Sequence, residues 1–131
     1  MTVLLVALAG GLGAAARFVT DSLLARRNPF RVPLGTMVIN ISGSLLLGLL
    51  TGLLATGSPG TAGATVEAVL GTGFCGGYTT FSTASVEAAR LWVAEGSGTG
   101  IRYAAVTLVA SVAAAALGLA IGQAIAGMES T

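Results

Sequence analysis

The sequence predicts an all-α membrane protein of four transmembrane helices, the third of them broken in its middle. Three observations carry this. Hydrophobic residues make up 54% of 131 residues and charged residues only 8%, where a soluble domain carries roughly 25% charged; mean hydropathy is +0.91. Four apolar segments each exceed the ~20 residues needed to span ~30 Å of hydrocarbon. Residues 73–83 then set the run Gly-Phe-Cys-Gly-Gly-Tyr-Thr-Thr-Phe-Ser-Thr inside the third segment, where glycines weaken a helix by roughly 1 kcal/mol each relative to Ala.

The first helix is expected at about 3–24 and the second at about 32–55. The third runs over about 64–93, with its break near 73–80, and the fourth over about 101–126. The connectors 25–31, 56–63 and 94–100 are rich in Gly, Pro, Ser or charge, as turns at a membrane surface should be. The first helix lacks a basic n-region, which argues against a cleaved signal peptide. The whole length fits one transmembrane domain.

Composition also excludes functions. With no His and one Cys, the chain has no His-based metal site, no His general base and no intramolecular disulfide. A net charge of +1 gives no sign of nucleic-acid binding.

Polar residues inside apolar segments are the candidate functional groups, because burying them unpaired is costly. Thr36, Asn40 and Ser44 recur every four residues in the second segment, and Tyr103, Thr107 and Ser111 do so in the fourth. That spacing keeps each set near one helix face. The two stripes offer amide and hydroxyl donors and no carboxylate. A donor-rich, uncharged track suits a small anion that must shed water and also leave. Helix packing is the competing explanation for the hydroxyls, which also bond their own i−4 carbonyls. Asn40 fits interhelical glue and ligand binding equally. Thr80, Phe81 and Ser82 close the glycine run; Phe81 is either core filler or a ring whose positive edge meets an anion. Freed carbonyls of the break, at membrane depth, are expected to line a cavity or aim at an ion.

Two i,i+3 or i,i+4 pairs, Arg17 with Asp21 and Glu87 with Arg90, read as structural ion pairs. Cys75 reads as a small packing residue. Gly43 with Gly48, Gly118 with Gly122, and Ala113–Ala116 offer close-approach faces. Because four helices enclose little space, a dimer with the broken segments at its centre is the economical assembly.

Three motifs carry a family resemblance: Gly-Gly-Leu-Gly-Ala-Ala-Ala-Arg-Phe at 10–18, Pro-Leu-Gly-Thr-Met-Val-Ile-Asn-Ile-Ser-Gly at 33–43, and the run at 73–83. Through them the chain resembles the CrcB/Fluc fluoride channels over nearly its whole length. The resemblance implies an antiparallel dimer in a bacterial inner membrane, embedded in lipid, with two narrow fluoride pathways that let fluoride leave the cytoplasm. It implies a central structural sodium ion held by the backbone carbonyls of Gly76 and Thr79 of each subunit. It places Asn40, Thr80, Phe81, Ser82, Tyr103, Thr107 and Ser111 along the fluoride pathway. The family pattern expects a second phenylalanine at position 84, where this chain has Ala84.

Arg26, Arg27, Arg31 and Arg102 fall on one side of the membrane, which orients both termini outside by the positive-inside rule. A homodimer of mixed orientation and a heterodimer with an oppositely oriented relative both remain open. The alternative function is a small multidrug-type four-helix transporter, which needs a membrane-embedded carboxylate; Asp21, Glu67 and Glu87 are the candidates. A non-transporting assembly protein held by its Gly/Ala faces is a further alternative.

Overall fold

The structure is a computed structural model that describes residues 1–30, 32–55 and 61–129. Most of the 56–63 connector and Arg31 lie outside the described residues, as do residues 130 and 131 of the polar tail.

Helix α1 (Thr2–Arg27) runs three residues past its expected end, because Arg26 and Arg27 continue its last turn, where positive charge faces the negative end of the helix dipole. Asn28 then turns the chain: its Oδ1 accepts from the Phe30 N–H at 2.9 Å, and its Nδ2 donates to the Val32 carbonyl at 2.7 Å. Pro33 precedes α2 (Leu34–Ala55), a position that needs no N–H.

The third segment is helical for longer than the glycines suggest. Helix α3 (Thr61–Val66) passes into a nine-residue π-helical stretch, Glu67–Cys75, and then α4 (Gly76–Tyr78). Only Thr79 and Thr80 leave helical geometry before α5 (Phe81–Glu95). The expected non-helical span of 73–80 is therefore corrected to 79–80. The glycines serve a different purpose. A Cβ on Gly77 would strike the Gly10 carbonyl, one on Gly13 the Phe74 carbonyl, and one on Gly73 would sit 2.9 Å from the Val6 carbonyl. They bring two backbones together instead of breaking a helix.

Helix α6 (Ser97–Glu129) follows α5 after Gly96 alone, whose φ of +97° is the one positive φ among the described residues. The expected seven-residue connector thus shrinks to one residue. At 33 residues α6 is about 50 Å long and exceeds the hydrocarbon.

Helix α2 packs most extensively on α6. Gly48 and Gly52 face the backbone of Ala115 and Leu119, and Gly118 and Gly122 face that of Leu45 and Leu49. Two Gly-x-x-x-Gly pairs thus interlock within one chain. Gly43 belongs elsewhere: it lies under the Thr79 methyl and the Tyr78 ring. Helices α1, α2 and α6 are long and apolar enough to cross a membrane. The third segment, divided at Thr79 and Thr80, is not among these three spans.

Candidate functional site

The two extended residues are held by Asn40. Its Nδ2 donates to the Thr80 carbonyl at 2.9 Å, and its Oδ1 accepts from the Thr80 N–H at 2.8 Å. The amide thus pairs with Thr80 as a neighbouring strand would, and satisfies a peptide unit that helical geometry has abandoned. Asn40 is glue, and it keeps one further amide proton for another partner.

The chain on either side is capped by its own hydroxyls. Thr79 Oγ1 donates to the Cys75 carbonyl at 3.0 Å. Thr80 Oγ1 accepts from the Thr83 N–H at 3.2 Å as the N-cap of α5, and contacts the Thr83 and Ser82 hydroxyls at 3.0 and 3.3 Å. The positive end of the α5 dipole therefore begins at Thr80.

A cavity of about 570 Å³ opens beside this point. Asn40 and Ser44 of α2, Thr79 and Thr80 of the break, Phe81, Ala84 and Ser85 of α5, and Thr107 and Ser111 of α6 are among its lining residues. Thr107 Oγ1 and Ser111 Oγ are both buried; Ser111 Oγ has no hydrogen-bond partner, and Thr107 lies beside the Tyr103 hydroxyl. Phe81 is 84% exposed and is not core filler. Ala84, at the position where the family pattern expects a second phenylalanine, is one of the lining residues.

The predicted pathway residues divide accordingly. Asn40, Thr80, Phe81, Thr107 and Ser111 converge on the cavity, whereas Ser82 and Tyr103 do not line it. Ser82 is exposed beside the Thr80 hydroxyl. Tyr103 is buried and donates its hydroxyl to Glu87 Oε2 at 2.7 Å, with Thr36 and Thr107 beside it. Ser44 also lines the cavity; its place in the Thr36–Asn40–Ser44 stripe was the sequence signal for it. Ser85 lines it too, but donates to its own Phe81 carbonyl at 2.9 Å.

Both expected ion pairs are corrected. Arg17 reaches across to the Thr79 carbonyl, with Nη1 donating at 3.3 Å, and Asp21 instead lies against Gly35. Glu87 takes the Tyr103 hydroxyl in place of Arg90. A residue on another helix outcompetes the helical neighbour in each case.

The Gly76 carbonyl has lost its i+4 donor, because the Thr80 N–H is committed to Asn40. The Thr79 carbonyl carries Arg17 on one lone pair and has a second. Both are hard oxygen acceptors of the type that suits an alkali cation.

A family model described as CrcB-like protein, Camphor Resistance (CrcB), matches residues 4–119. The chain is 53% identical over 123 residues to the fluoride-specific ion channel FluC 2 of Cutibacterium acnes, covering 94% of this chain and 98% of that protein. It is 58% identical over 92 residues to the fluoride-specific ion channel FluC 1 of Leifsonia xyli, covering 70% of this chain and 64% of that one. It is 44% identical over 128 residues to the FluC 1 channel of Streptomyces avermitilis, covering 98% and 94%.

Proposed function

Because this chain belongs to the CrcB-like family, we propose that it is a fluoride-selective ion channel, not an enzyme, that lowers cytoplasmic fluoride by passive export across a bacterial inner membrane. One observation carries the reading. Two buried hydroxyls, Thr107 beside the Tyr103 hydroxyl and the unpartnered Ser111, lie on the wall of a cavity that holds no charged side chain. Such donors replace part of the water shell of a small anion without binding it too tightly to leave. The names of the relatives supply the anion's identity. The α5 dipole supports the same sign of ion.

The pathway runs past Thr80 and Phe81 and along Asn40, Ser44, Thr107 and Ser111. Ser82 and Tyr103 act from outside the cavity, Tyr103 by fixing Glu87 away from it. The transporter alternative needs an accessible carboxylate, and among the lining residues there is none.

The channel assembles as an antiparallel dimer with the two breaks at its centre, either of two copies or with an oppositely oriented relative. A sodium ion bound by Gly76 and Thr79 carbonyls of each subunit satisfies oxygens that the break has released. It serves as a structural tie between subunits and takes no part in anion passage.

The test is ion efflux from liposomes that hold the purified protein. Rapid fluoride release with chloride retained is expected. Chloride release as fast as fluoride release rejects the reading.

A further inference from the structure

A second cavity, of about 320 Å³, opens at the far end of α5. One wall is the connector between α1 and α2, and the other is the last half of α5. Helices α1 and α2 are both long and apolar enough to span, so their connector lies at a membrane surface. Arg90 sits only about 8 Å from the end of α5, at the same level. The connector wall is preformed, because Asn28 clasps it through the Phe30 N–H and the Val32 carbonyl.

Charges of both signs line this cavity: Arg90, Glu87 and Glu95. Glu87 Oε2 is taken by the Tyr103 hydroxyl, and the Arg90 guanidinium bonds to none of the described residues. Its planar fork of donors therefore stays available, in the geometry that matches a phosphate. The carboxylates accept only, and each has room for more than one donor. Phe30, Pro33 and Leu91 give the same cavity an apolar side. Phe30 and the neighbouring Trp92 are 65% and 53% exposed, as aromatic rings at head-group level are.

We propose that this cavity binds one membrane phospholipid whose head group carries both a phosphate and a primary ammonium, as phosphatidylethanolamine does. Arg90 holds the phosphate through two parallel N–H bonds. Glu87 and Glu95 accept from the ammonium, and the apolar side receives the glycerol end of the lipid. A phosphatidylglycerol head group brings no cation to the two carboxylates. A phosphatidylcholine head group brings a cation without an N–H to donate. The opening at the membrane surface and the apolar side select a lipid over a soluble phosphate.

The test uses the full-length protein in mild detergent, titrated with phosphatidylethanolamine, phosphatidylcholine or phosphatidylglycerol of identical acyl chains. Bound lipid is counted by native mass spectrometry. Phosphatidylethanolamine should bind about tenfold more tightly than either other lipid, the worth of one charge-assisted hydrogen bond. Arg90→Gln should lose about that factor, whereas Arg102→Gln, outside the cavity and bonded to the Gly98 carbonyl, should not. Equal binding of the three lipids, tighter binding of phosphatidylglycerol, or an Arg90→Gln variant that binds phosphatidylethanolamine unchanged overturns the proposal. Soluble glycerophosphoethanolamine that binds as tightly as the lipid rejects the membrane source. If Arg90→Gln does not fold, Glu95→Gln decides: a lost preference over phosphatidylcholine supports the site, and a kept one rejects it. If neither folds, the ranking of the three lipids on the unaltered protein decides alone.

Discussion

Replacing Asn40 with Asp separates the two things this side chain does. Its volume barely changes. The Oδ1 bond from the Thr80 N–H, 2.8 Å in length, is kept. The Nδ2 bond to the Thr80 carbonyl, 2.9 Å in length, is lost, and one oxygen then faces another. Leaving that carbonyl without its donor costs about 1–3 kcal/mol. A carboxylate on the cavity wall also repels the permeating anion. At about 5 Å and an effective dielectric near 20, the repulsion is about 3 kcal/mol, which is roughly two decades in rate. Asn40→Asp should therefore assemble with reduced stability and pass fluoride about a hundredfold more slowly. Asn40→Ala removes both bonds and adds no charge. It should lose more stability, about 2–6 kcal/mol, and less flux per folded channel. The assay is fluoride efflux from liposomes, read with an ion-selective electrode and normalised to protein that elutes as assembled. Asn40→Asp that elutes normally and conducts within twofold of the unaltered protein refutes both the clasp and the place of Asn40 on the pathway.

Gly77→Ala should destabilise the packing of α1 on the third segment by about 1–3 kcal/mol, since its Cβ meets the Gly10 carbonyl, while Gly11→Ala, with open space around it, should be neutral; equal melting temperatures for the two would contradict this. Sodium depletion should weaken dimerisation or flux, and Thr79→Ser should keep the site because its ligands are backbone oxygens; a dimeric, fully active protein in rigorously sodium-free buffer would remove sodium from the account. If the chain acts with an oppositely oriented partner, the arginine asymmetry places its termini outside, and a cysteine placed after Met128 should react with an impermeant reagent from outside in nearly every copy, whereas reaction of about half the copies would indicate mixed orientation and drop that partner.

By itself the sequence determined the membrane character, the four apolar segments, and that helical geometry fails within the third, although it fails at Thr79 and Thr80 and not across the glycines. Lipid offers no hydrogen bonds, so length and hydropathy decide what spans it, and the polar stripes around Asn40 and Thr107 stand out against an apolar background. Tertiary structure decided what each polar or small residue is used for. Gly73 and Gly77 read as helix breakers along the chain, yet they are contact points with α1, because a glycine's cost in helix propensity is smaller than the gain from two closely packed backbones. Arg17 and Glu87 read as partners of their neighbours one turn away, yet they bond to Thr79 and Tyr103. A surface-type i,i+4 pair contributes only about 0.2–0.5 kcal/mol, so a well-placed acceptor or donor on another helix outweighs it. Tyr103 shares a helix stripe with Thr107 and Ser111, yet its long side chain ends at Glu87 instead of in the cavity. Periodicity fixes the face from which a side chain leaves its helix; the neighbouring helices fix where it ends.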